Sequence, residues 1–344
     1  MKIRHFSLNS KPDSGGSSRY ACELSNQEKL LGLDSEIIAF SDRGNIISRI
    51  LKLIELKRER VDVINIHYSG SFGIFGIRLL LFKLYGVRII STFHGPWHLE
   101  ARSSGKSSLR VLAAFLTQQS VCRMSDCLIV MSNAFAEQAK SYTCKNIFIQ
   151  PPGIDLEIKH KNHSVTKFTR DQKIVCIVRR LVPRMGIDIA IKTMKLLPEN
   201  YLLRIVGEGF ERINLEKLSI SLGLSERITF LGHLSDEELK AVLQESDLML
   251  VPSRELEGYG LVVLEAYQYC LPVIATSVGG LVESVPEEFH EWALCHEISD
   301  ISLANKVLNF KKELVPSHSK FQKVLQRNDW KKITKYIIEE CYSK

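Results

Sequence analysis

Short apolar segments alternate with longer segments of helical periodicity along the whole chain. Residues 87–93 and 248–251 are largely apolar runs, which are typical of strands buried on both faces of a sheet. Residues 108–123 and 187–197 instead carry apolar side chains every three or four positions, as an amphipathic helix does. The alternation of the two patterns predicts parallel α/β sheets throughout the chain.

The same patterns place individual elements. Predicted strands cover residues 2–8, 36–40, 61–67, 87–93, 127–131, 147–150, 174–178, 202–206, 228–231, 248–251 and 273–275. Predicted helices cover residues 17–31, 46–57, 74–85, 108–123, 133–141, 187–197, 211–222, 236–245 and 261–270.

A turn-rich segment divides the pattern into two halves. Residues 151–155 read Pro-Pro-Gly-Ile-Asp, and a polar run at 159–168 follows them, which together predict a linker. A chain of 344 residues is long enough for two domains of ordinary size. The sequence therefore predicts one domain over residues 1–152 and a second over residues 153–327.

Composition narrows the class of protein. With 45% apolar and 25% charged residues, the chain has the composition of a globular protein. No apolar run reaches the ~20 residues of a membrane-spanning helix, and the first residues enter a strand pattern without a signal-peptide core. The eight cysteines form no C-x-x-C pair, so we expect reduced buried thiols and a cytoplasmic location.

Charge is distributed unevenly between the two halves. Residues 1–150 hold 20 Lys and Arg against 12 Asp and Glu, a net charge of +8, whereas residues 151–344 have a net charge of −1. Two explanations stay open: an ordinary basic surface, or attraction to anionic lipid headgroups or a phosphate-bearing acceptor. Nucleic acid is not expected as a partner, because no recognition module accompanies the charge.

The segment from Glu257 to Glu265, EGYGLVVLE, is the strongest candidate for chemistry. It starts after a predicted strand and runs into a predicted helix, so Gly258 and Gly260 lie at a strand-to-helix turn. Free amides at the start of a helix favour an anion. One carboxylate could then accept hydrogen bonds from a sugar and the other hold a ribose, with a diphosphate on the amides between them. The alternative is a glycine-containing turn with two solvated glutamates.

This segment and its continuation resemble a known family. The continuation runs from Ala266 through Thr276 to the Gly-Gly pair at 279–280 and Glu283, with Leu271 where glycine is common. Together they are similar to the retaining GT-B glycosyltransferases of family 4, also called glycosyltransferases group 1. The resemblance implies an α/β fold of two Rossmann-like, doubly wound domains that face a central cleft. It also implies that the last helix, within residues 328–344, returns to the first domain.

The resemblance assigns an arginine to the diphosphate. Residues 179–186, RRLVPRMG, resemble the family segment G-R-L-x-x-x-K-G, with Arg180 at the arginine that supports the departing charge. The lysine of that segment falls on Met185, which carries no charge. Arg184 is a candidate for the second cation, and an ordinary surface arginine is the equally weighted alternative.

In the first domain, two further positions are candidates. Residues 12–17 form a glycine loop after the first predicted strand, where Gly15 and Gly16 permit close approach of the backbone to the donor. His94 ends another predicted strand, at a position where the family has a histidine that bears on the transferred sugar. Residues 97–102 then form a candidate acceptor loop.

The remaining donor-binding predictions lie in the second domain. Gly207 belongs to a glycine turn that is expected to border the nucleotide, and Leu231 to the segment expected to read the base by its backbone. The donor-binding residues predicted around the central motif are Gly258, Tyr259, Gly260, Leu261, Val262 and Glu265.

The expected protein is a retaining hexosyltransferase in polysaccharide biosynthesis. Its predicted catalytic residues are Glu257, Arg180 and His94, and its donor a nucleotide sugar, with UDP preferred from the habit of the family. The acceptor is expected to be a glycan or a lipid-linked saccharide, met by peripheral contact with the anionic inner face of the membrane. No cofactor and no metal are expected, because no D-x-D motif stands in a suitable loop. A sugar-nucleotide epimerase of the same architecture and a non-catalytic nucleotide-sugar-binding module are the alternatives.

Overall fold

The computed structural model describes residues 1–7, 16–39, 60–67, 82–143, 145–159 and 171–343, which form two compact units. The N-terminal unit consists of Met1–Gly153 and Asn328–Lys344, and the C-terminal unit of Ile154–Arg327. The predicted helix at 46–57, most of the one at 74–85, and Gly15 lie outside the described residues.

The N-terminal unit is built on a six-stranded parallel sheet. Its strands are β1 (Lys2–Ser7), β2 (Asp34–Ala39), β3 (Val63–Ile66), β4 (Arg88–Phe93), β5 (Cys127–Val130) and β6 (Asn146–Ile149). Their spatial order is β2-β1-β3-β4-β5-β6, so the direction of the chain across the sheet reverses between β1 and β3. Such a reversal opens a crevice at the carboxyl ends of the two strands, where ligands bind in doubly wound folds.

Helices of the N-terminal unit come from both ends of the sequence. They are α1 (Gly16–Leu30), α2 (Trp97–Ser103), α3 (Ser108–Met124), α4 (Asn133–Ala139) and α13 (Trp330–Tyr336), and α13 continues as a π-helical turn at Ile337–Tyr342. All four residues of β3 and of β5 are buried, which explains why Asn65 is the single polar residue of these two strands.

The C-terminal unit has a second six-stranded parallel sheet. Its strands are β7 (Lys173–Val178), β8 (Tyr201–Val206), β9 (Ile228–Gly232), β10 (Leu248–Val251), β11 (Val273–Thr276) and β12 (Leu294–Cys295). The spatial order β12-β11-β10-β7-β8-β9 is that of the Rossmann fold, with the reversal between β7 and β10. The site described below forms at that reversal.

The longer helices of the C-terminal unit have an apolar face or a capping residue that favours helix formation. They are α5 (Ile187–Leu196), α6 (Arg212–Ser221), α7 (Asp236–Glu245), α8 (Leu261–Gln268), α11 (Asp300–Asn309) and α12 (His318–Arg327), with short α9 (Leu281–Ser284) and α10 (His290–Ala293) between them. Helix α5 buries one apolar face in the core, and α7 begins at a capping box in which Ser235 and Glu238 satisfy each other's backbone amides.

The predicted α/β fold of two Rossmann-like domains is confirmed, and the predicted strands match the observed ones to within one or two residues. Strand β12 was not predicted, because two residues are too short to produce a pattern. The candidate acceptor loop at 97–102 is wrong as a loop, since these residues form helix α2. Within the described residues, no helix is both long enough and apolar enough to cross a bilayer.

Candidate functional site

An ion pair joins the ends of two neighbouring strands in the C-terminal unit. Arg179 directly follows β7, and Glu257 lies in the loop between β10 and α8. Nη2 of Arg179 donates hydrogen bonds to Oε2 of Glu257 at 2.7 Å and to Oγ of Ser253 at 2.9 Å. Oγ of Ser253 donates to the same carboxylate oxygen at 3.0 Å. Because β7 and β10 flank the reversal of the sheet, these groups lie where a ligand would bind.

The two oxygens of Glu257 have different surroundings. Oε2 accepts both hydrogen bonds described above, whereas Oε1 has no hydrogen-bond partner among the residues that the structure describes. The residue is only 7% exposed, so the carboxylate is held in one orientation. A fixed carboxylate with one open oxygen can accept hydrogen bonds from a ligand hydroxyl without reorganising.

Arg180 differs from the arginine that precedes it. Its side chain is exposed, and in the described part of the chain its guanidinium forms no hydrogen bond or ion pair. The end of β7 therefore carries two adjacent cations, of which Arg179 holds Glu257 and Arg180 is available to an anion. Sequence reasoning selected Arg180 and missed Arg179 and Ser253, although the doubled arginine at a strand end was visible.

The start of helix α8 supplies backbone donors beside this pair. Gly260 caps the helix in the left-handed conformation with φ 85°, which favours glycine. The amides of Leu261 and Val262 donate to no acceptor among the described residues, as is normal for a first helical turn. Positive helix-dipole charge and unpaired amides together suit a phosphate group.

A pair of glycines lets the site loop pack tightly. A Cβ on Gly279 would lie 2.4 Å from the carbonyl oxygen of Glu257, and one on Gly280 would lie 2.1 Å from that of Gly258. The amide of Gly280 donates to the carbonyl of Glu257 at 2.9 Å. The Gly-Gly pair of the sequence motif is therefore needed because two backbones touch there.

Two further glycines bring the other predicted segments against the same loops. A Cβ on Gly186 would lie 1.9 Å from the carbonyl oxygen of Pro252, and one on Gly207 would lie 1.9 Å from that of Arg179. The amide of Gly207 also donates to Gly232 at 2.7 Å, at the end of β9 that contains half-buried Leu231. The structure thus brings the predicted segments of the C-terminal unit together at one edge of its sheet.

Arg184 and Met185 have structural surroundings that the sequence did not reveal. Arg184 is only 7% exposed, and its Nη1 donates to the carbonyl of Leu256 at 3.0 Å, so it is not a surface arginine. Met185 is buried in the hydrophobic core of the unit. At the position where the family has a lysine, this chain therefore has an apolar side chain in an apolar environment.

The remaining predicted residues of the motif divide by burial. Tyr259 and Val262 are 7% and 8% exposed, so their side chains pack inside the unit and their backbones border the turn. Glu265 is partly exposed on α8, one turn after Leu261. Gly258 is partly exposed between Glu257 and Tyr259.

His94 stands at a comparable place in the N-terminal unit. It follows β4 directly, and its Nε2 lies 3.1 Å from Nδ1 of His67, which follows β3. Burial lowers the pKa of His94 to about 3, so the ring is neutral near neutral pH. Gly16 is the exposed first residue of α1, while Gly15 is not among the described residues. His67 was not selected from the sequence, since a lone histidine after a strand carries no motif.

Across the described residues, no three His, Cys, Asp or Glu side chains are grouped as metal ligands. Metal-independent catalysis remains a prediction.

Comparisons with known proteins agree with this geometry. The family model for glycosyl transferases group 1 matches residues 158–327, and the model for glycosyltransferase family 4 matches residues 37–158. The D-inositol 3-phosphate glycosyltransferase of Mycolicibacterium smegmatis is 31% identical over 242 residues, which are 66% of this chain and 54% of that protein. The matched part thus spans about half the length of this relative.

Two solved structures share the fold. Sucrose-phosphate synthase from Thermosynechococcus elongatus has a TM-score of 0.78 at 20% identity, covering 98% of this chain and 97% of its own. HepE from Anabaena in complex with UDP-glucose has a TM-score of 0.79 at 18% identity, covering 100% of both chains. The motifs, the two sheets and these matches lead to one conclusion: the chain belongs to the group 1 glycosyltransferases, family 4, and has the GT-B fold.

Proposed function

We propose that this protein is a retaining glycosyltransferase that transfers a hexose from a UDP-sugar to a glycan or a lipid-linked acceptor. The observation that carries the proposal is the arrangement at the ends of β7 and β10. There the fixed carboxylate of Glu257, the exposed cation Arg180 that follows Arg179, and the unpaired amides that begin α8 all lie at the same edge of the sheet. Transfer needs one group to orient the hexose and others to receive the charge of the leaving diphosphate.

Each group has a role in the proposed reaction. Oε1 of Glu257 accepts hydrogen bonds from hydroxyls of the transferred hexose, and Oε2 is occupied by Arg179. Arg180 and the amides of Leu261 and Val262 stabilise the diphosphate as the bond to the hexose breaks. The acceptor hydroxyl then attacks the same face of the sugar, with its proton passing to the leaving phosphate, so the anomeric configuration is retained.

UDP-glucose is the first donor to test, since the related fold of HepE was solved with it. Thermal unfolding would be measured with UDP-glucose, GDP-mannose, ADP-glucose and UDP alone. A ligand present at about 100 times its Kd stabilises the folded state by about 2.7 kcal/mol. We expect UDP-glucose to raise Tm, and to do so much less in Arg180→Ala. Equal Tm values with every nucleotide sugar would contradict the proposal.

The alternatives are separated by the products. NMR of the reaction with UDP-glucose and a mixture of glycan and lipid-linked acceptors should show an α-linked product from the α-linked donor. Epimerised donor without acceptor would indicate an epimerase, and binding with neither transfer nor slow donor hydrolysis would indicate a binding module. Activity should persist in excess chelator, and a strict need for Mg²⁺ or Mn²⁺ would contradict metal independence.

For the acceptor, we propose access from an anionic membrane surface. The net charge of +8 over residues 1–150 supports this, and so does a stripe of exposed leucines on α3. Leu109, Leu112 and Leu116 are 77%, 53% and 51% exposed and recur on one face of the helix. Exposed Arg110 lies beside this stripe. Apolar side chains with basic neighbours are typical of helices that lie in a membrane interface.

Vesicle co-sedimentation across a salt series tests this proposal. Binding to anionic vesicles should weaken as salt rises, because charges are screened beyond about 8 Å at physiological ionic strength. Leu112→Ser with Leu116→Ser should reduce binding at all salt concentrations. Neutralising Lys57, Arg58 and Arg60 together should reduce it mainly at low salt; Lys57 and Arg58 lie outside the described residues. Equal partitioning onto neutral and anionic lipid, or none onto either, would favour a soluble acceptor.

A further inference from the structure

A line of four hydrogen-bonded side chains crosses the interior of the N-terminal unit. Oε2 of Glu28, on α1, lies 2.8 Å from Nε2 of His5, on β1. Nδ1 of His5 lies 2.9 Å from Nε2 of His67, which follows β3. Nδ1 of His67 lies 3.1 Å from Nε2 of His94, which follows β4. We call these four side chains the histidine chain. Glu28, His5 and His67 are each 0% exposed, so the histidine chain starts in the core of the unit and ends at partly exposed His94.

The buried end of this histidine chain only accepts hydrogen bonds. Besides His5, Oγ of Ser35 donates to Oε2 of Glu28 at 2.6 Å, and the hydroxyl of Tyr342 donates to Oε1 at 2.9 Å. Tyr342 itself accepts from Nδ2 of Asn65 at 3.1 Å, which fixes its hydroxyl as the donor to Glu28. Because Ser35 and Tyr342 both donate to the carboxylate of Glu28, we take the contact with His5 as a third donation, from Nε2 of His5 to Oε2.

The other end of the histidine chain is the ring of His94, which is partly exposed. Nδ1 of His94 has no hydrogen-bond partner among the described residues. His94 lies at the carboxyl edge of the sheet, next to the reversal between β1 and β3. Burial and the neighbouring His5 and His94 hold the pKa of His67 well below its usual value, as burial does for His94. Both of these rings are therefore neutral near neutral pH.

With the rings of His67 and His94 both neutral, only two proton arrangements satisfy these contacts. A neutral imidazole donates from one nitrogen and accepts at the other, and each contact between two rings holds one proton. When His5 is neutral, its Nδ1 accepts from Nε2 of His67, whose Nδ1 accepts from Nε2 of His94, and Nδ1 of His94 is unprotonated. When His5 carries an extra proton, the two contacts between rings reverse and Nδ1 of His94 is protonated. The contact between His5 and Glu28 stays the same.

We propose that Glu28, His5 and His67 are positioning residues that set the hydrogen-bonding character of His94. With three protons on the three rings, Nδ1 of His94 accepts a hydrogen bond; with four, it donates one. His94 itself stays neutral in both states, and the charge resides on His5 beside Glu28.

The change between the two states is a proton shift along the chain. A proton supplied by hydronium binds Nδ1 of His94, whose Nε2 passes its proton to Nδ1 of His67. Nε2 of His67 then passes its proton to Nδ1 of His5. Three N–H bonds form and two break, so the chain gains one proton and one positive charge.

Among the residues that the structure describes, few other titratable groups face the histidine chain. The ring of Tyr20, on α1, lies 5.8 Å from that of His67 and 5.4 Å from that of His94, and Tyr342 contacts Glu28. No lysine or arginine among the described residues forms a hydrogen bond or ion pair with a member of the chain. The carboxylate of Glu28 is thus the group that stabilises a charged His5.

The meaning of this change for catalysis rests on the proposed function. As an acceptor, Nδ1 of His94 can take a hydrogen bond from a hydroxyl of a sugar bound at this edge of the N-terminal sheet. As a donor, it cannot take that bond from the hydroxyl in the same geometry. The donor KM should therefore rise below the pH at which the chain gains its fourth proton.

Nitrogen NMR of the wild-type protein tests the inference without any substrate. With histidines labelled with ¹⁵N, and the His94 signals identified from their loss in His94→Gln, the two tautomers of a neutral ring give different nitrogen shifts. We expect His94 to be protonated on Nε2 at high pH and to change to Nδ1 protonation, still neutral, as pH falls. A single His94 tautomer at every pH, or a ring that becomes a cation, would overturn the proposal.

Two variants locate the control of this change. Glu28→Gln removes the negative charge next to His5, so the tautomer change should move to lower pH by about one to three units. Ser35→Ala is the matched control, because it removes another hydrogen bond to Glu28 and keeps the carboxylate, and its change should stay close to that of wild type. A transition in Glu28→Gln that coincides with that of wild type would contradict the role of Glu28.

The wild-type titration remains decisive if Glu28→Gln does not fold. Failure of the proposed function would appear separately, as absence of transfer and of donor-induced stabilisation with the tautomer change intact. Transfer from UDP-glucose without a tautomer change would leave the proposed function standing and remove this inference.

Discussion

The two units place polar side chains at the edges of their sheets by different means. In the C-terminal unit, the pair of Arg179 and Glu257 stands on loops whose backbones touch, and glycines such as Gly186 and Gly279 make that contact possible. In the N-terminal unit, His94 is held by a hydrogen bond to the buried side chain of His67, and the two residues follow different strands.

This difference determines what a substitution does. On the tightly packed loops, an exposed side chain such as that of Arg180 can be exchanged while the backbone keeps its course, so its effects on function and on stability can be separated. A side chain held through a buried polar chain depends on every member, because each buried polar atom needs its partner.

Glu257→Gln should lower the rate of transfer by about 10²–10³-fold, because it removes the charge that the proposed site uses. The free energy of unfolding should fall less than in Arg179→Ala, because the amide oxygen can still accept from Arg179 although the guanidinium loses its anion. Steady-state kinetics and chemical denaturation measure the two effects. Glu255→Gln is the control, because Glu255 is exposed on the same loop and has no partner in the described residues, and it should retain wild-type kinetics. Wild-type turnover in Glu257→Gln would remove this residue from the site.

Arg180→Ala and Arg179→Ala should separate rate from stability. Loss of Arg180 should slow transfer by about 10²-fold with little change in the free energy of unfolding, since its side chain is exposed. Loss of Arg179 should also lower that free energy by about 3 kcal/mol, because it leaves the buried carboxylate of Glu257 without its cation. Equal stability of the two variants, measured by urea unfolding, would mean that the ion pair contributes nothing to the loops.

Met185→Lys tests the reinterpretation of the missing lysine. The resemblance alone would allow lysine here, because the family segment has one, but Met185 lies in the hydrophobic core, where a charged ammonium is costly to bury. We therefore expect a loss of about 3 kcal/mol in the free energy of unfolding. Met185→Leu, which keeps the volume, should cost about 1 kcal/mol or less. A lysine variant as stable as wild type would show that the side chain reaches solvent.

His94→Gln should have the smallest effect on turnover, about tenfold, since it removes only the single hydrogen bond that we propose between His94 and a sugar hydroxyl. Its loss should appear mainly in the donor KM, and thermal unfolding should show a modest decrease in Tm because Nδ1 of His67 loses its donor. A loss as large as that of Glu257→Gln would mean that the two units contribute equally to the reaction.

Much of the C-terminal unit could be predicted from sequence, because its site residues are close along the chain. The glycine spacing around Glu257, the apolar strands and the capped helices all have local signatures. Two things could not be predicted. Arg179 and Arg180 are adjacent and identical, so only the fold shows which one contacts Glu257. Met185 looks like a lost charge until its burial is known.

The N-terminal unit was harder to predict for a related reason. Its strands were placed correctly, but His5, Glu28 and His67 are separated by long stretches of sequence and match no motif. Their contact arises from the order of strands in the sheet, which hydrophobic periodicity does not reveal. The prediction of a loop at residues 97–102 was wrong because the seven residues of α2 bury none of their side chains. Such a helix has no apolar face that the sequence could show.

The membership of residues 328–344 in the N-terminal unit has a consequence for biosynthesis. A ribosome makes the strands of this unit first, but the hydroxyl of Tyr342 that binds Glu28 emerges only after the whole C-terminal unit has been translated. Trp330, whose ring packs so closely on Gly153 that a Cβ there would overlap it, is likewise translated late. Of the two units, the one whose translation starts first is therefore completed second. Until residues 328–344 are translated, the buried polar and apolar groups that they cover stay exposed in the nascent chain.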